Sequence, residues 1–437
     1  MDAMIWNEKY ELMDREDLAQ VQIEGLQSTL NRVRRNVAFY RQAFERAGVK
    51  VEDVRALPDL AHLPFTTKAD LRAAYPYDMF AVPLRDIVRI QCTSGTTGRP
   101  VVVGYTPNDL KMWSECMARV LAAGGVTEHD VVQVSFTYGL FSGGLGFHYG
   151  AERIGASVVP ASTGSLERQV MIMRDFKTSA LACTPGYALA LAGALAESGA
   201  GPGSLSLRAG FFGAEPWSEA LRTQLESRLG IAALDTYGLT EVLGPGVSFE
   251  CPSRCGLHVN EDHFIAEVID PVTLAVKRPG EEGELVLTTI TKEGFPLVRY
   301  RTGDLTTLDP SPCRCGRTLA RMARIRGRID DMINLGDVKA FPSQVEEVLA
   351  ATEGVEPHYE LVVDRVDGMD TLEVRVEIAE DMPEVDEVRA IERLKERIAR
   401  RLAASLGIPV KVSLAEPKSL ARAGESKLRR VVDRRQL

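Results

Sequence analysis

Between the apolar stretches Asp86-Ile87-Val88-Arg89-Ile90 and Val101-Val102-Val103 the chain reads Thr93-Ser94-Gly95-Thr96-Thr97-Gly98-Arg99-Pro100. Hydroxyls and backbone amides are the donors that phosphate oxygens need, and glycine lets a backbone approach an anion closely. The β-prone flanks predict a strand–loop–strand unit. This is not the Walker loop, which requires GxxxxGK[ST] followed by a helix. A second reactive group is Cys251-Pro252-Ser253-Arg254-Cys255-Gly256-Leu257-His258, joined much later by Cys313-Arg314-Cys315-Gly316. Short-spaced thiols plus an imidazole from two turns suit tetrahedral zinc in a closed, structural site. Five residues, Cys251, Cys255, His258, Cys313 and Cys315, compete for four positions. Cys92, Cys116 and Cys183 stand alone and read as apolar packing.

Such groups need a scaffold, and 437 residues are enough for two or three domains with sizeable cores. A net charge of −9 excludes general binding to nucleic acid or to an anionic membrane surface, because no cationic excess is present to neutralise phosphates. No basic-then-apolar leader and no spanning apolar run are found, so a cytoplasmic, reducing setting is expected. Seven cysteines are too few for a disulfide scaffold of this size. Residues 17–47 have helical periodicity. From about residue 88, short apolar strands alternate with helical segments, the pattern of an α/β domain. Thr106-Pro107 and Thr184-Pro185 each place a hydroxyl at an N-cap and proline at the first helical position, predicting helices to Gly124 and to about Gly199. Residues 284–325 are rich in strand and turn signals. A domain boundary is expected at 329/330, followed by a small α+β module. There Leu372, Val374, Val376 and Ile378 alternate on one strand and Val410, Val412 and Leu414 on another. Residues 384–405 read as a helix between them.

In this layout TSGTTGRP is followed in order by Gly213-Ala214-Glu215-Pro216, Tyr237-Gly238-Leu239-Thr240-Glu241, Tyr300-Arg301-Thr302-Gly303-Asp304 and Gly327-Arg328-Ile329-Asp330. That series resembles the adenylate-forming acyl-CoA synthetase superfamily. Within it, Tyr138-Gly139-Leu140-Phe141-Ser142-Gly143-Gly144, Glu261-Asp262-His263-Phe264 and Phe341-Pro342-Ser343-Gln344 are similar to phenylacetate–CoA ligases. The likeness spans nearly the whole chain. It implies a large multi-sheet α/β adenylation domain at 1–329, binding ATP and an aryl acid, and a small mobile α+β domain at 330–437. It also implies two half-reactions: the acid attacks the α-phosphorus of ATP to give an acyl-adenylate and pyrophosphate, then the thiol of coenzyme A takes the acyl group.

The resemblance carries over residue by residue. Thr93, Ser94, Gly95, Thr96, Thr97 and Gly98 would hold the β- and γ-phosphates, while Arg99 stands where relatives often have lysine. Glu241 matches a magnesium ligand, a hard oxygen for a hard cation. Gly213, Ala214, Glu215, Pro216, Asp235, Tyr237, Gly238 and Thr240 match nucleotide-binding positions. Asp304 and Arg328 match contacts to the ribose. Lys427, in Gly424-Glu425-Ser426-Lys427, matches the lysine that reaches the carboxylate and α-phosphate during adenylation. Asp330 matches the hinge. Tyr138, Phe141 and Ala214 would line the acid pocket, whose aromatic walls suit a flat, apolar acid. Relatives with a similar C-x6-H and C-x-C pair point to Cys251, His258, Cys313 and Cys315 as zinc ligands, with Cys255 as the alternative. The expected partners are an aryl acid, ATP and coenzyme A, and a homodimer. An aminobenzoate- or hydroxybenzoate-type acid, a carrier-protein acceptor, and a non-catalytic binding homologue are the competing expectations.

Overall fold

The computed structural model describes residues 4–93, 99–335, 338–366, 369–379, 388–417, 419–420 and 430–435. The chain divides into two compact units, Met1–Glu215 with Glu226–Arg324, and Pro216–Leu225 with Ile325–Leu437. The second unit thus begins at Ile325, five residues before the expected boundary. It also takes in Pro216–Leu225, which local sequence assigns to the first domain.

The first unit is built on a sheet whose parallel half runs, in spatial order, Ser157–Val159, Val131–Val134, Ala180–Cys183, Ala209–Gly213 and Ala232–Leu239. The central strands Ala180–Cys183 and Ala209–Gly213 are buried along their whole length, as strands covered on both faces must be. Gly244–Glu250 and Leu257–Val259 extend the sheet in antiparallel fashion. Strand Val131–Val134 has a later strand on each side, so the chain order reverses beside it. In open α/β sheets, ligands collect at such a point, outside the carboxyl ends of the strands.

Helix Pro107–Ala123 starts as its capping sequence predicts. The Thr106 hydroxyl accepts from Asp109 N–H at 3.1 Å, and the Asp109 carboxylate accepts from Thr106 N–H at 2.9 Å. Helix Pro185–Glu197 is likewise capped by Thr184. The periodic segment at 17–47 is two helices, Arg15–Asn36 and Ala38–Ala47, because Val37 is extended (φ −114°, ψ 111°). A separate antiparallel layer holds Phe264–Ile269, Gly283–Thr289 and Tyr300–Thr306.

Among its described residues, the second unit has a sheet in the order Lys411–Ala415, Met369–Ile378, Val355–Val366, Val431–Asp433. Helices Pro342–Ala350 and Val388–Leu406 cover it, and Leu361, Val374, Val376, Ile398 and Leu402 form its core. The expected helix at 384–405 begins outside the described residues and ends at Leu406.

Candidate active site

The motif residues of the first unit gather at the carboxyl ends of the parallel strands. Strand Val131–Val134 leads to Tyr138 and Phe141, strand Ala209–Gly213 to Ala214 and Glu215, and strand Ala232–Leu239 to Thr240 and Glu241. Close backbone approach requires two of the glycines. A β-carbon on Gly213 would lie 2.2 Å from the Thr236 carbonyl oxygen, and one on Gly238 would lie 2.0 Å from that of Gly244. Ala214 is held in the left-handed region at φ +71°, a conformation that costs a non-glycine residue on the order of 1 kcal/mol and collects at functional sites.

Asp304, on strand Tyr300–Thr306, is buried and accepts a 2.6 Å hydrogen bond from the Tyr237 hydroxyl. The aromatic ring assigned to the base and the carboxylate assigned to the ribose are therefore joined. Asp235 receives the Arg324 guanidinium at 2.9 Å. Glu215 acts at a helix end. Its carboxylate accepts from Gly186 N–H at 2.9 Å, supplementing the cap of helix Pro185–Glu197 with a negative charge. The Thr240 hydroxyl pairs with that of Ser142 at 2.9 Å.

The buried Glu241 carboxylate meets the Lys68 ammonium at 3.1 Å. Thr66 holds the Lys68 segment in place by exchanging backbone hydrogen bonds with Arg299 and Arg301 at 3.0 and 2.9 Å. Lys68 was not singled out by sequence motif, although a lysine in a helix's first turn runs against the macrodipole and offered a signal.

Tyr138 and Phe141 stand differently. The Tyr138 hydroxyl pairs with His148 Nδ1 at 3.2 Å, and His148 Nε2 pairs with Glu152 at 3.1 Å. Burial first, then Tyr149 and Glu152, pushes the Tyr138 phenol well above its ordinary range and keeps it neutral. Phe141 is 39% exposed. Phe136 and Phe147, by contrast, are buried and stacked on each other with centroids 5.5 Å apart.

Thr93 closes the base of the hydroxyl-rich loop, donating its N–H to Val101 O and accepting from Val101 N–H, both at 3.0 Å. Ser94, Gly95, Thr96, Thr97, Gly98 and Lys427 lie outside the described residues. In the second unit, Arg328 lies on the short strand Gly327–Arg328 and Asp330 in the turn Ile329–Asp331. Pro216 also belongs to this unit. The stretch containing Lys427 runs between Leu420, whose N–H is held by Glu377 at 2.7 Å, and Arg430, bonded to the Tyr359 hydroxyl at 2.9 Å.

Apart from these groups, Cys251, His258, Cys313 and Cys315 bring their ligand atoms within 4.8 Å of one another. Cys251 and Cys313 Sγ are 3.8 Å apart, and Cys315 Sγ is 3.5 Å from His258 Nε2. Zn–S bonds of about 2.3 Å in a tetrahedron put ligand sulfurs ~3.8 Å apart, so the donor set and its spacing fit zinc. Cys255 is exposed, with its thiol on Ser253 O at 3.1 Å, and is outside the group. The Cys251 thiol, and further His258 and Arg317, hold Cys315 far below the ordinary thiol range against the opposing effect of burial. Arg317 also ties the cluster to the N-terminal segment through its fully buried pair with Glu11 at 2.6 Å.

Comparison with known proteins adds to this geometry. The family model for AMP-binding enzymes matches residues 15–291, and that for the AMP-binding enzyme C-terminal domain matches residues 337–435. The chain is 46% identical to the phenylacetate–coenzyme A ligase of Thermus thermophilus over 444 residues, covering 99% of this chain and 100% of the relative. It is 44% identical to that of Escherichia coli K12 over 439 residues, covering 99% of each. Among solved structures, a 2-hydroxyisobutyryl-CoA ligase in the postadenylation state, in complex with R3-HIB-AMP, matches with a TM-score of 0.92 at 29% identity. That match covers 98% of this chain and 92% of the other.

Proposed function

We propose, for a chain that belongs to the phenylacetate–coenzyme A ligase family of AMP-binding enzymes, that phenylacetate is the acid it activates. The family performs ATP-dependent acid activation and transfer to coenzyme A, and the chemistry balances in two steps. A carboxylate oxygen bonds to the α-phosphorus of ATP as the bond to pyrophosphate breaks. The coenzyme A thiol then bonds to the acyl carbon, its proton is lost, and AMP leaves. The observation that carries the reading is the convergence of Tyr237, Asp304, Thr240 and Glu241 at the carboxyl ends of the parallel strands, with Tyr138 and Phe141 following a neighbouring strand.

In this reading Asp304 accepts the ribose hydroxyls and Tyr237 lies against the base. Glu241 offers a hard anionic oxygen, the donor type that suits magnesium bound to the nucleotide phosphates; in this structure that carboxylate holds the Lys68 ammonium at 3.1 Å. Magnesium would supply charge neutralisation at those phosphates. Ser94, Gly95, Thr96, Thr97 and Gly98 hold the departing pyrophosphate end, and Lys427 offsets charge at the α-phosphate. Asp330 serves as the hinge between the half-reactions. Tyr138, whose hydroxyl is engaged by His148, would offer its ring to an unsubstituted aryl group. Cys251, His258, Cys313 and Cys315 hold a structural zinc that pins two loops.

Acid-dependent exchange of labelled pyrophosphate into ATP tests the reading. Phenylacetate should support exchange at least ten times faster than 2-aminobenzoate or 4-hydroxybenzoate. Faster exchange with either of those acids would replace the substrate assignment.

A further inference from the structure

Lys292 is a buried cation that the chemistry above does not use. It is 1% exposed, on the loop after strand Gly283–Thr289, and among the described residues no carboxylate lies within 4.0 Å of its ammonium. Its Nζ instead donates to the Val242 carbonyl at 2.7 Å and sits 4.5 Å from the centroid of the Tyr105 ring. Tyr105 is buried too, and its hydroxyl donates to the next carbonyl, that of Leu243, at 2.8 Å. Ammonium and phenol therefore hold two successive carbonyls immediately after Glu241. The loop is fixed from the other side as well: Asp109 accepts from Glu293 N–H at 2.6 Å and Gly294 N–H at 2.9 Å while closing the cap of helix Pro107–Ala123.

A cation without an ion-pair partner is costly to bury, and an apolar side chain of similar volume would fill the space more cheaply. Such groups gather where function demands them. Burial brings the Lys292 pKa down to about 7, opposed by the charges of Asp109 and Glu241. We propose that Lys292 is a positioning residue for acid activation, fixing the turn at 240–243 so that the Glu241 carboxylate faces the nucleotide-bound magnesium ion. The inference rests on the reading of Glu241 as the magnesium ligand.

The test uses the full chain and the Mn2+ complex of α,β-methylene-ATP, with Mn2+ as the paramagnetic probe read by EPR. Lys292→Met should fold with a melting temperature no lower than that of the wild type, because it removes a buried charge. Its affinity for the Mn2+–nucleotide complex should fall about 10-fold, while affinity for metal-free nucleotide is unchanged. Tyr105→Phe, which keeps the ring and releases only the Leu243 carbonyl, should weaken the metal complex about 3-fold. Glu241→Gln is the control. If it weakens metal-complex binding while folded Lys292→Met does not, the positioning role is overturned. If Glu241→Gln has no effect, the reading of Glu241 fails and takes this proposal with it. Should Lys292→Met not fold, unaltered binding by Tyr105→Phe overturns the proposal.

Discussion

A lysine held by a carbonyl dipole and an aromatic face, rather than by a carboxylate, ties protein stability to pH. Lys292 titrates near 7 when folded and near 10.5 when unfolded, so between those values the unfolded chain binds the extra proton. Stability therefore rises with pH across that window and is lowest below it. Urea midpoints from pH 6.5 to 9 should climb in the wild type, and the slope should flatten in Lys292→Met; parallel slopes would contradict the assignment. At Lys427 the expectation is kinetic. Lys427→Ala should slow adenylation at least ~100-fold, about 2.7 kcal/mol, and leave thioester formation from preformed adenylate intact. Rapid-quench measurement of each half-reaction checks this, and equal loss in both would remove the role. Motifs drew Glu241 and Asp304 out of the sequence, and both are buried beside other motif or charged residues. Lys68 and Lys292 were not legible in this way, because each meets its partner across a long stretch of sequence and stands in no recognisable run.

Elements whose ends are set by local chemistry were readable in advance. Thr106-Pro107 and Thr184-Pro185 start the helices they predict, since caps depend on neighbours within one turn. The split of 17–47 at Val37 has no such signal, because apolar periodicity continues across it. Spacing alone left five zinc candidates open and the resemblance pointed to four of them; the fold brings the ligand atoms of those four, Cys251, His258, Cys313 and Cys315, within 4.8 Å of one another and leaves Cys255 exposed. If that cluster holds zinc, purified protein contains about one ion per chain by elemental analysis. Cys313→Ser should lose the ion and lower the melting temperature by several degrees, as loss of a closed site does. A metal-free wild type of unchanged stability would dismiss the site. The hydrogen bond that Glu215 accepts from Gly186 N–H helps cap a helix, and Glu215→Gln should cost about 0.5–1 kcal/mol in chemical denaturation.

At the level of the whole molecule, the α/β alternation and the ordered motifs identified a large first domain and a small second one. Sequence placed Pro216–Leu225 in the first because contiguity is all that a local reading can use. Asp330, in a short turn early in the second unit, is proposed as the residue that absorbs backbone change between half-reactions. Asp330→Pro should retain pyrophosphate exchange and lose thioester formation; unchanged overall turnover would contradict it. That this chain activates an aryl acid as its adenylate and passes it to coenzyme A can be followed in one reaction of the purified protein with ATP, magnesium and phenylacetate, with chromatography before and after coenzyme A is added. Phenylacetyl-adenylate and pyrophosphate should appear first, then phenylacetyl-CoA and AMP in equal amounts. Absence of the adenylate, or an adenylate that coenzyme A does not consume, would contradict that activity.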